Sequence, residues 1–173
     1  KYDQTFDPQT LVQMMTAVLI IEKGNLKDTV TAPEMPAAIN SGNTVFLRKN
    51  EEFKLSRLLE AILTYNANDA AYAAAVHIGG SEEKFIDMMN AEAKNLGMTN
   101  TEFKSVYGGA KGQKSTAHDM ALLAAKASRL EKYVSLTLKP TMNWNGEMFA
   151  HDNIPNANGF QQIMEDGVGL KLS

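Results

Sequence analysis

The stretch TLVQMMTAVLIIEK, residues 10 to 23, constrains the fold more than any other part of the chain. Its apolar residues recur at helical spacing with few polar interruptions, which predicts a helix from Thr10 to Lys23. Gly24 and Asn25 follow directly and are typical of a helix end. A chain of 173 residues can bury a sizeable core, and we expect most of this helix to lie inside it.

Three further helical segments follow along the chain. The second begins near Leu55, is interrupted at NAND, residues 66 to 69, and continues through an alanine-rich stretch. Ser81 is a good N-cap for the third segment. Ser115 or Thr116 is expected to cap the fourth, and Thr116 stands with Asp119 at the spacing of a capping box.

Strand signals are short and few. DTVTA, residues 28 to 32, predicts an extended piece, whereas YVSLTL, residues 133 to 138, is compatible with a helix end or a strand. NWNGEMFAHDNIPNANG, residues 143 to 159, has the composition of a polar, turn-rich connection. The sequence therefore predicts a single domain, 1–173, in which helices dominate.

Composition argues against several classes of function. The formal net charge is −3 and the basic residues are scattered, which does not favour a nucleic-acid partner. No apolar stretch has the length of a membrane span. The absence of cysteine excludes thiol catalysis and zinc–thiolate sites, and the three histidines are far apart in sequence. No metal or organic cofactor is indicated.

Thr10 and Gln13 stand three residues apart at the start of the first predicted helix. Side chains at this spacing converge, and a helix N-terminus stabilises developing negative charge. A serine and a lysine in this arrangement form an activated nucleophile and its base. By residue type alone, Thr10 is a good N-cap and Gln13 a good helix former, so a structural role is the simpler interpretation.

Longer motifs give this pair a context. DPQTLVQMMTA, residues 7 to 17, resembles the P-A-S-L-T-K-M-M-T-A motif of the penicillin-binding, serine-type D-alanyl-D-alanine carboxypeptidases, a β-lactamase-like family. LLEAILTYNANDAA, residues 58 to 71, resembles the family segment L-L-x-x-L-L-x-x-S-G-N-D-A-A. STAHDMALLA, residues 115 to 124, is similar to S-T-A-x-D-M-A-x-L-A, and DGVGLKLS, residues 166 to 173, resembles the approach to G-x-K-T-G. The matches run in order over nearly all of the chain.

The resemblance implies a role for each matching position. Thr10 occupies the nucleophile position, Gln13 that of the general-base lysine and Asn66 that of the second serine. Asn68 keeps the asparagine of the motif. Lys171 falls on the lysine of K-T-G if one residue is missing before it.

These substitutions predict the loss of hydrolysis. A glutamine amide has no basic lone pair at neutral pH, the methyl group of Thr10 crowds its hydroxyl, and Asn66 removes a second hydroxyl. Removing members of a catalytic unit costs on the order of a thousandfold in rate. We therefore predict a pseudoenzyme of the bacterial cell envelope that binds peptidoglycan peptide or a protein. The alternatives are a weak carboxypeptidase, with Thr10 as nucleophile and Lys171 or Lys114 as base, and a pure protein-interaction scaffold.

The family fold implied by the resemblance is an antiparallel sheet with helices packed on it. Most of its strands precede or follow the matching motifs, which predicts a mainly α chain, truncated at both ends, that represents the helical portion of the DD-peptidase fold. An apolar face would then be exposed where the sheet should sit, and a partner chain would supply the missing strands. The glycine-rich YGGAKGQK, residues 107 to 114, is expected to border the cleft.

Overall fold

The computed structural model of the protein describes residues 3 to 150. Its helices are α1 (Val12–Lys23), α2 (Leu55–Tyr65), α3 (Asn68–Gly79), α4 (Glu82–Asn95), α5 (Ala117–Ala127) and α6 (Glu131–Thr137). Strands β1 (Thr29–Thr31) and β2 (Glu52–Lys54) pair antiparallel, as do β3 (Thr141–Trp144) and β4 (Glu147–Ala150). The prediction of a mainly α chain is confirmed. The DGVGLKLS motif, with Lys171, lies outside the described residues.

Helix α1 runs through the middle of the described part. Every residue from Val12 to Ile20 is buried, because α1 packs against each of the five other helices. This burial is what the nearly uninterrupted apolar pattern predicts. In the described part of the chain no helix is long and apolar enough to cross a lipid bilayer.

The first helix begins later than predicted. Residues Gln9–Leu11 form a 3-10 turn closed by a backbone hydrogen bond of 2.9 Å, and the α-helix starts at Val12. Thr10 therefore lies in the turn, and Leu11 occupies the N-cap position in its place. The physical reason is that the N–H groups of Leu11 and Val12 bond three residues back, to Pro8 and Gln9, in the tighter 3-10 pattern, and Gln9 before them has a left-handed φ of 46°.

The predicted break between α2 and α3 is confirmed. Asn66 has a left-handed φ of 51° at the end of α2, and its N–H donates to the carbonyl oxygen of Ile62 at 3.0 Å. Asparagine tolerates this conformation better than most residues. Helix α3 then begins at Asn68, so the two asparagines stand on either side of Ala67.

The predicted caps are present. Ser81 and Thr116 each accept a hydrogen bond from a backbone N–H in the first turn of α4 and α5. The carboxylate of Asp119 departs from the usual capping box, because it accepts from the N–H of Asn100 at 2.8 Å and the hydroxyl of Thr101 at 2.7 Å. Asp119 thereby fixes the loop that precedes α5.

The hairpin β3–β4 corrects the interpretation of the polar stretch over residues 143 to 150, whereas residues 151 to 159 lie outside the described residues. Asn145 and Gly146 have φ values of 50° and 93°, the pair of left-handed residues that a two-residue hairpin turn requires. Polar residues in the strands concealed this signal. YVSLTL is helical over most of its length, since α6 spans Glu131–Thr137.

The expected apolar face is not seen on the described helices. Among the described residues, the large apolar side chains that are exposed are Phe6, Phe46, Leu138 and Met148, and none of them lies within a helix. The reason is that β3, β4 and α6 pack against α2 and cover it. Strands supplied by a partner chain stay a prediction, as does the single domain over 1–173.

Candidate active-site cleft

The side chain of Gln13 lies at the centre of the site. It is 1% exposed, and its Nε2 donates to the side-chain Oδ1 of Asn68 at 2.9 Å. Two further acceptors are the backbone carbonyl oxygens of Asn66 at 3.1 Å and Tyr107 at 3.2 Å. We refer to these three oxygen atoms as the oxygen cage. Four of the predicted site positions therefore lie near one another, because Gln13 contacts Asn66 and Asn68 and Thr10 precedes it by one turn.

The oxygen cage is held by its own neighbours. The left-handed backbone of Asn66 ends α2 at this point. The side chain of Asn68 also donates from Nδ2 to the carbonyl of Ile39 at 3.2 Å, and its backbone N–H donates to Asn43 at 2.8 Å. A Cβ on Gly42 would stand 2.6 Å from that Nδ2, so only glycine permits this approach. The cage is therefore a rigid feature of the fold.

The oxygen cage offers more acceptors than Gln13 can serve. A carboxamide has two N–H hydrogens, and three oxygens surround its nitrogen. The Oε1 of Gln13 is buried and has no hydrogen-bond partner among the described residues. A lysine ammonium, with three donors and no acceptor, matches such a cage better. The amide in its place can donate hydrogen bonds but cannot accept a proton from a nucleophile.

An open cavity of about 370 Å³ lies beside the oxygen cage. Its described lining consists of Asp7, Gln9, Thr10, Ser41, Gly42, Asn43, Asn66, Asn68, Tyr107, Gly108 and Gly109. The prediction that the glycine-rich loop borders the cleft is confirmed for its first three residues. Lys114, an alternative base, instead places its ammonium 3.9 Å from Glu102.

Sequence reasoning missed Asp7 and Gln9 as residues of the cleft. The only available signal was their position directly before Thr10 in the matching motif. Asp7 accepts a hydrogen bond from the N–H of Gln9 at 2.9 Å, which stabilises the strained turn. Strained backbone of this kind persists where the surrounding structure holds it in place.

The phenol of Tyr107, a residue that lines the cavity, interacts electrostatically with the carboxylate of Glu82. Burial raises the pKa of the Tyr107 phenol, and the negative charge of Glu82 raises it further. Burial also raises the pKa of Glu82, although a hydrogen bond from the backbone of Val106 opposes the rise. In the part of the chain that the structure describes, no cluster of acidic or histidine side chains could hold a metal ion.

Solved structures identify the class to which this fold and cleft belong. Penicillin-binding protein 5 from Haemophilus influenzae superposes with a TM-score of 0.82 at 26% identity, over 92% of this chain and 49% of that one. The arrangement is thus the helical portion of the penicillin-binding protein fold.

The chain belongs to the D-alanyl-D-alanine carboxypeptidase family, whose model matches residues 1–170. It is 40% identical to the D-alanyl-D-alanine carboxypeptidase DacF of Bacillus subtilis over 136 residues, covering 75% of this chain and 34% of that protein. It is 31% identical to DacA of Escherichia coli over 186 aligned positions, covering 96% of this chain and 46% of that protein. The chain therefore spans a third to a half of the length of these relatives.

Proposed function

We propose that this chain is a non-hydrolysing member of its family, whose cleft binds a peptidoglycan peptide in the bacterial cell envelope. Family membership supports the ligand class and the location. The chemistry of the cleft supports the loss of hydrolysis, because an amide replaces the basic group that must take a proton from the nucleophile.

One observation carries this proposal. The Nε2 of Gln13 occupies an oxygen cage with donor-to-acceptor distances of 2.9 to 3.2 Å, so both N–H groups of the amide are committed to the cage. A group that is already donating to these oxygens, and that is not basic, cannot activate the Thr10 hydroxyl. The cavity next to it is open, however, so a ligand can still enter.

The backbone geometry of the cleft favours a binding role over a cleft that no longer has any function. The left-handed Gln9 and Asn66 are both kept in conformations that cost free energy for residues with side chains. Gly42 keeps the close approach that Asn68 needs. These features maintain the shape of the cleft although the proton-transfer groups are gone.

The first experiment is the intact mass of the chain after incubation with excess benzylpenicillin. We expect an unchanged mass together with saturable binding of a purified muropeptide that is recovered uncleaved. A stoichiometric adduct mapped to Thr10 overturns the proposal, and Asp7, which lines the same cavity, then becomes the first candidate for the base. An unchanged mass without muropeptide binding favours the scaffold alternative.

Restoring the motif gives a sharper test of the site. The double variant Thr10→Ser, Gln13→Lys places a serine hydroxyl and an ammonium at the two positions, and we expect it to form a penicilloyl adduct. The matched control is Thr10→Ser, Gln4→Lys, which adds the same charge at an exposed glutamine away from the oxygen cage. Adduct formation by the control as well would show that the oxygen cage is not what activates the serine.

A further inference from the structure

The turn that carries Thr10 needs an external support. Gln9, directly before it, has a φ of 46° although it is not glycine. A left-handed backbone costs free energy for a residue with a side chain, so neighbouring contacts must favour the conformation. Gln9 is the first residue of the 3-10 turn Gln9–Leu11. A turn of three residues has too few hydrogen bonds of its own to hold Gln9 in the left-handed conformation.

Asp7 provides one such contact and is itself anchored. Its Oδ1 accepts the N–H of Gln9 at 2.9 Å and also the Nε2 of Gln113 at 2.8 Å. Two donors on one carboxylate oxygen fix that oxygen in position. The backbones of Phe6 and Ser115 exchange two hydrogen bonds of 2.9 Å beside it, so the two segments are joined as a short ladder.

Gln113 has no evident reason to be a glutamine other than this bond. It is 4% exposed, and its Oε1 has no hydrogen-bond partner among the described residues. A buried amide with an unpaired oxygen is costly, and an apolar residue would fill the same space without that cost. The bond to Asp7 is therefore what the amide contributes.

The other side of the turn is held by Gly108. Its φ is 111°, and a Cβ added there would stand 2.6 Å from the carbonyl oxygen of Gln9. The backbone of the glycine-rich loop thus packs directly on the strained residue. Gly108 and Gln113 belong to this same loop; Gly108 approaches Gln9 directly, whereas Gln113 acts on the turn through Asp7.

We propose that Asp7 and Gln113 are positioning residues, through which the glycine-rich loop holds the Gln9–Thr10 turn in the shape that the cleft requires. Neither residue needs to react with a ligand. The inference rests on the proposed function only where affinity for a muropeptide is measured. The effect on the turn is measurable in the protein without a ligand.

The test compares Gln113→Ala, Asp7→Ala and Asp7→Asn with the control Gln4→Ala, an exposed glutamine in the same N-terminal segment. Site-resolved amide exchange at Gln9 is one readout, and affinity for a purified muropeptide is the other. We expect exchange at Gln9 to rise at least tenfold in Gln113→Ala, although Gln113 does not touch that amide. Affinity should fall at least fivefold in both alanine variants.

Asp7→Asn keeps an acceptor oxygen and should restore both readouts toward the values of the unmodified chain. Unchanged exchange at Gln9 in Gln113→Ala overturns the proposal, as does a failure of Asp7→Asn to differ from Asp7→Ala. If the unmodified chain does not bind the muropeptide, the proposed function fails, and exchange alone then decides whether the two residues position the turn.

Discussion

The Nε2 of Gln13 lies 2.9 Å from the Oδ1 of Asn68, a residue 55 positions away in the sequence. This hydrogen bond joins the start of α1 to the start of α3 at the wall of the cleft. It places a neutral amide at the position that the motif resemblance matches to a lysine, and it brings Asn66 and Asn68 of the α2–α3 break into contact with that amide.

Gln13→Met should destabilise the fold. Methionine matches the length of glutamine but donates no hydrogen bond, so the buried oxygens of the cage lose their partner. We expect the free energy of unfolding to fall by about 2–4 kcal/mol, measured by urea denaturation. The control Gln4→Met, on an exposed side chain, should change it by less than about 0.5 kcal/mol. Equal effects in the two variants would contradict this account of the cage.

Phe46→Asn should stabilise the protein. Phe46 is 74% exposed and has a left-handed φ of 59°, because Asp69 accepts hydrogen bonds from the N–H groups of Val45 and Leu47 on either side. Asparagine tolerates this conformation, and little burial is lost. We expect a gain of about 0.5–1 kcal/mol in the free energy of unfolding.

The matched control for that variant is Leu138→Asn. Leu138 is 60% exposed but has an ordinary φ of −84°, so the same kind of replacement relieves no backbone strain. A gain of equal size in both variants would show that removing an exposed apolar side chain is what stabilises the protein, and not relief of the backbone strain at Phe46.

Asp119→Asn should make the free energy of unfolding decrease less as the pH is lowered into the acid range. Burial raises the pKa of Asp119, but hydrogen bonds from Thr101, Asn100 and His118 outweigh it and hold the pKa below its ordinary value. The stabilisation is complete above the unfolded pKa of about 4 and is lost as the pH falls through the lower folded value. Urea denaturation at several pH values should show a smaller acid-dependent decrease in the variant. If the free energy of unfolding decreased by the same amount in the variant and in the unmodified chain, the ionised Asp119 would not be a source of this stabilisation.

Glu82→Gln should stabilise the protein at neutral pH. Burial raises the pKa of Glu82, so the folded state prefers the protonated carboxyl, and stability rises as the pH falls through the folded pKa toward the unfolded one. The variant should therefore exceed the unmodified chain at pH 7 and approach it below about pH 4. Glu83→Gln is the control of opposite sign, because hydrogen bonds from its own backbone N–H and from Ser81 lower the pKa of Glu83. Thermal unfolding measured at several pH values distinguishes the two variants, because the change in midpoint temperature at pH 7 should have opposite signs in Glu82→Gln and Glu83→Gln.

Local signals in the sequence predicted most of the helical framework. Gly24, Ser81 and Thr116 act within one turn of their own helices, so their effect is readable without knowing the fold. The break at Asn66 was visible for the same reason. The hairpin was missed although Asn145 and Gly146 carry its signal, because the polar residues around them were weighed more heavily.

The sequence by itself determined the helices, their caps and the motif positions that assign the chain to its family. Tertiary structure alone decided that three oxygens surround the Nε2 of Gln13, that Asp7 and Gln113 form a hydrogen bond, and that Gln9 is left-handed. Helix and cap preferences arise from residues a few positions apart. The cleft depends on contacts between segments as far apart as 106 positions, and packing of the whole core is what brings such segments within hydrogen-bond distance.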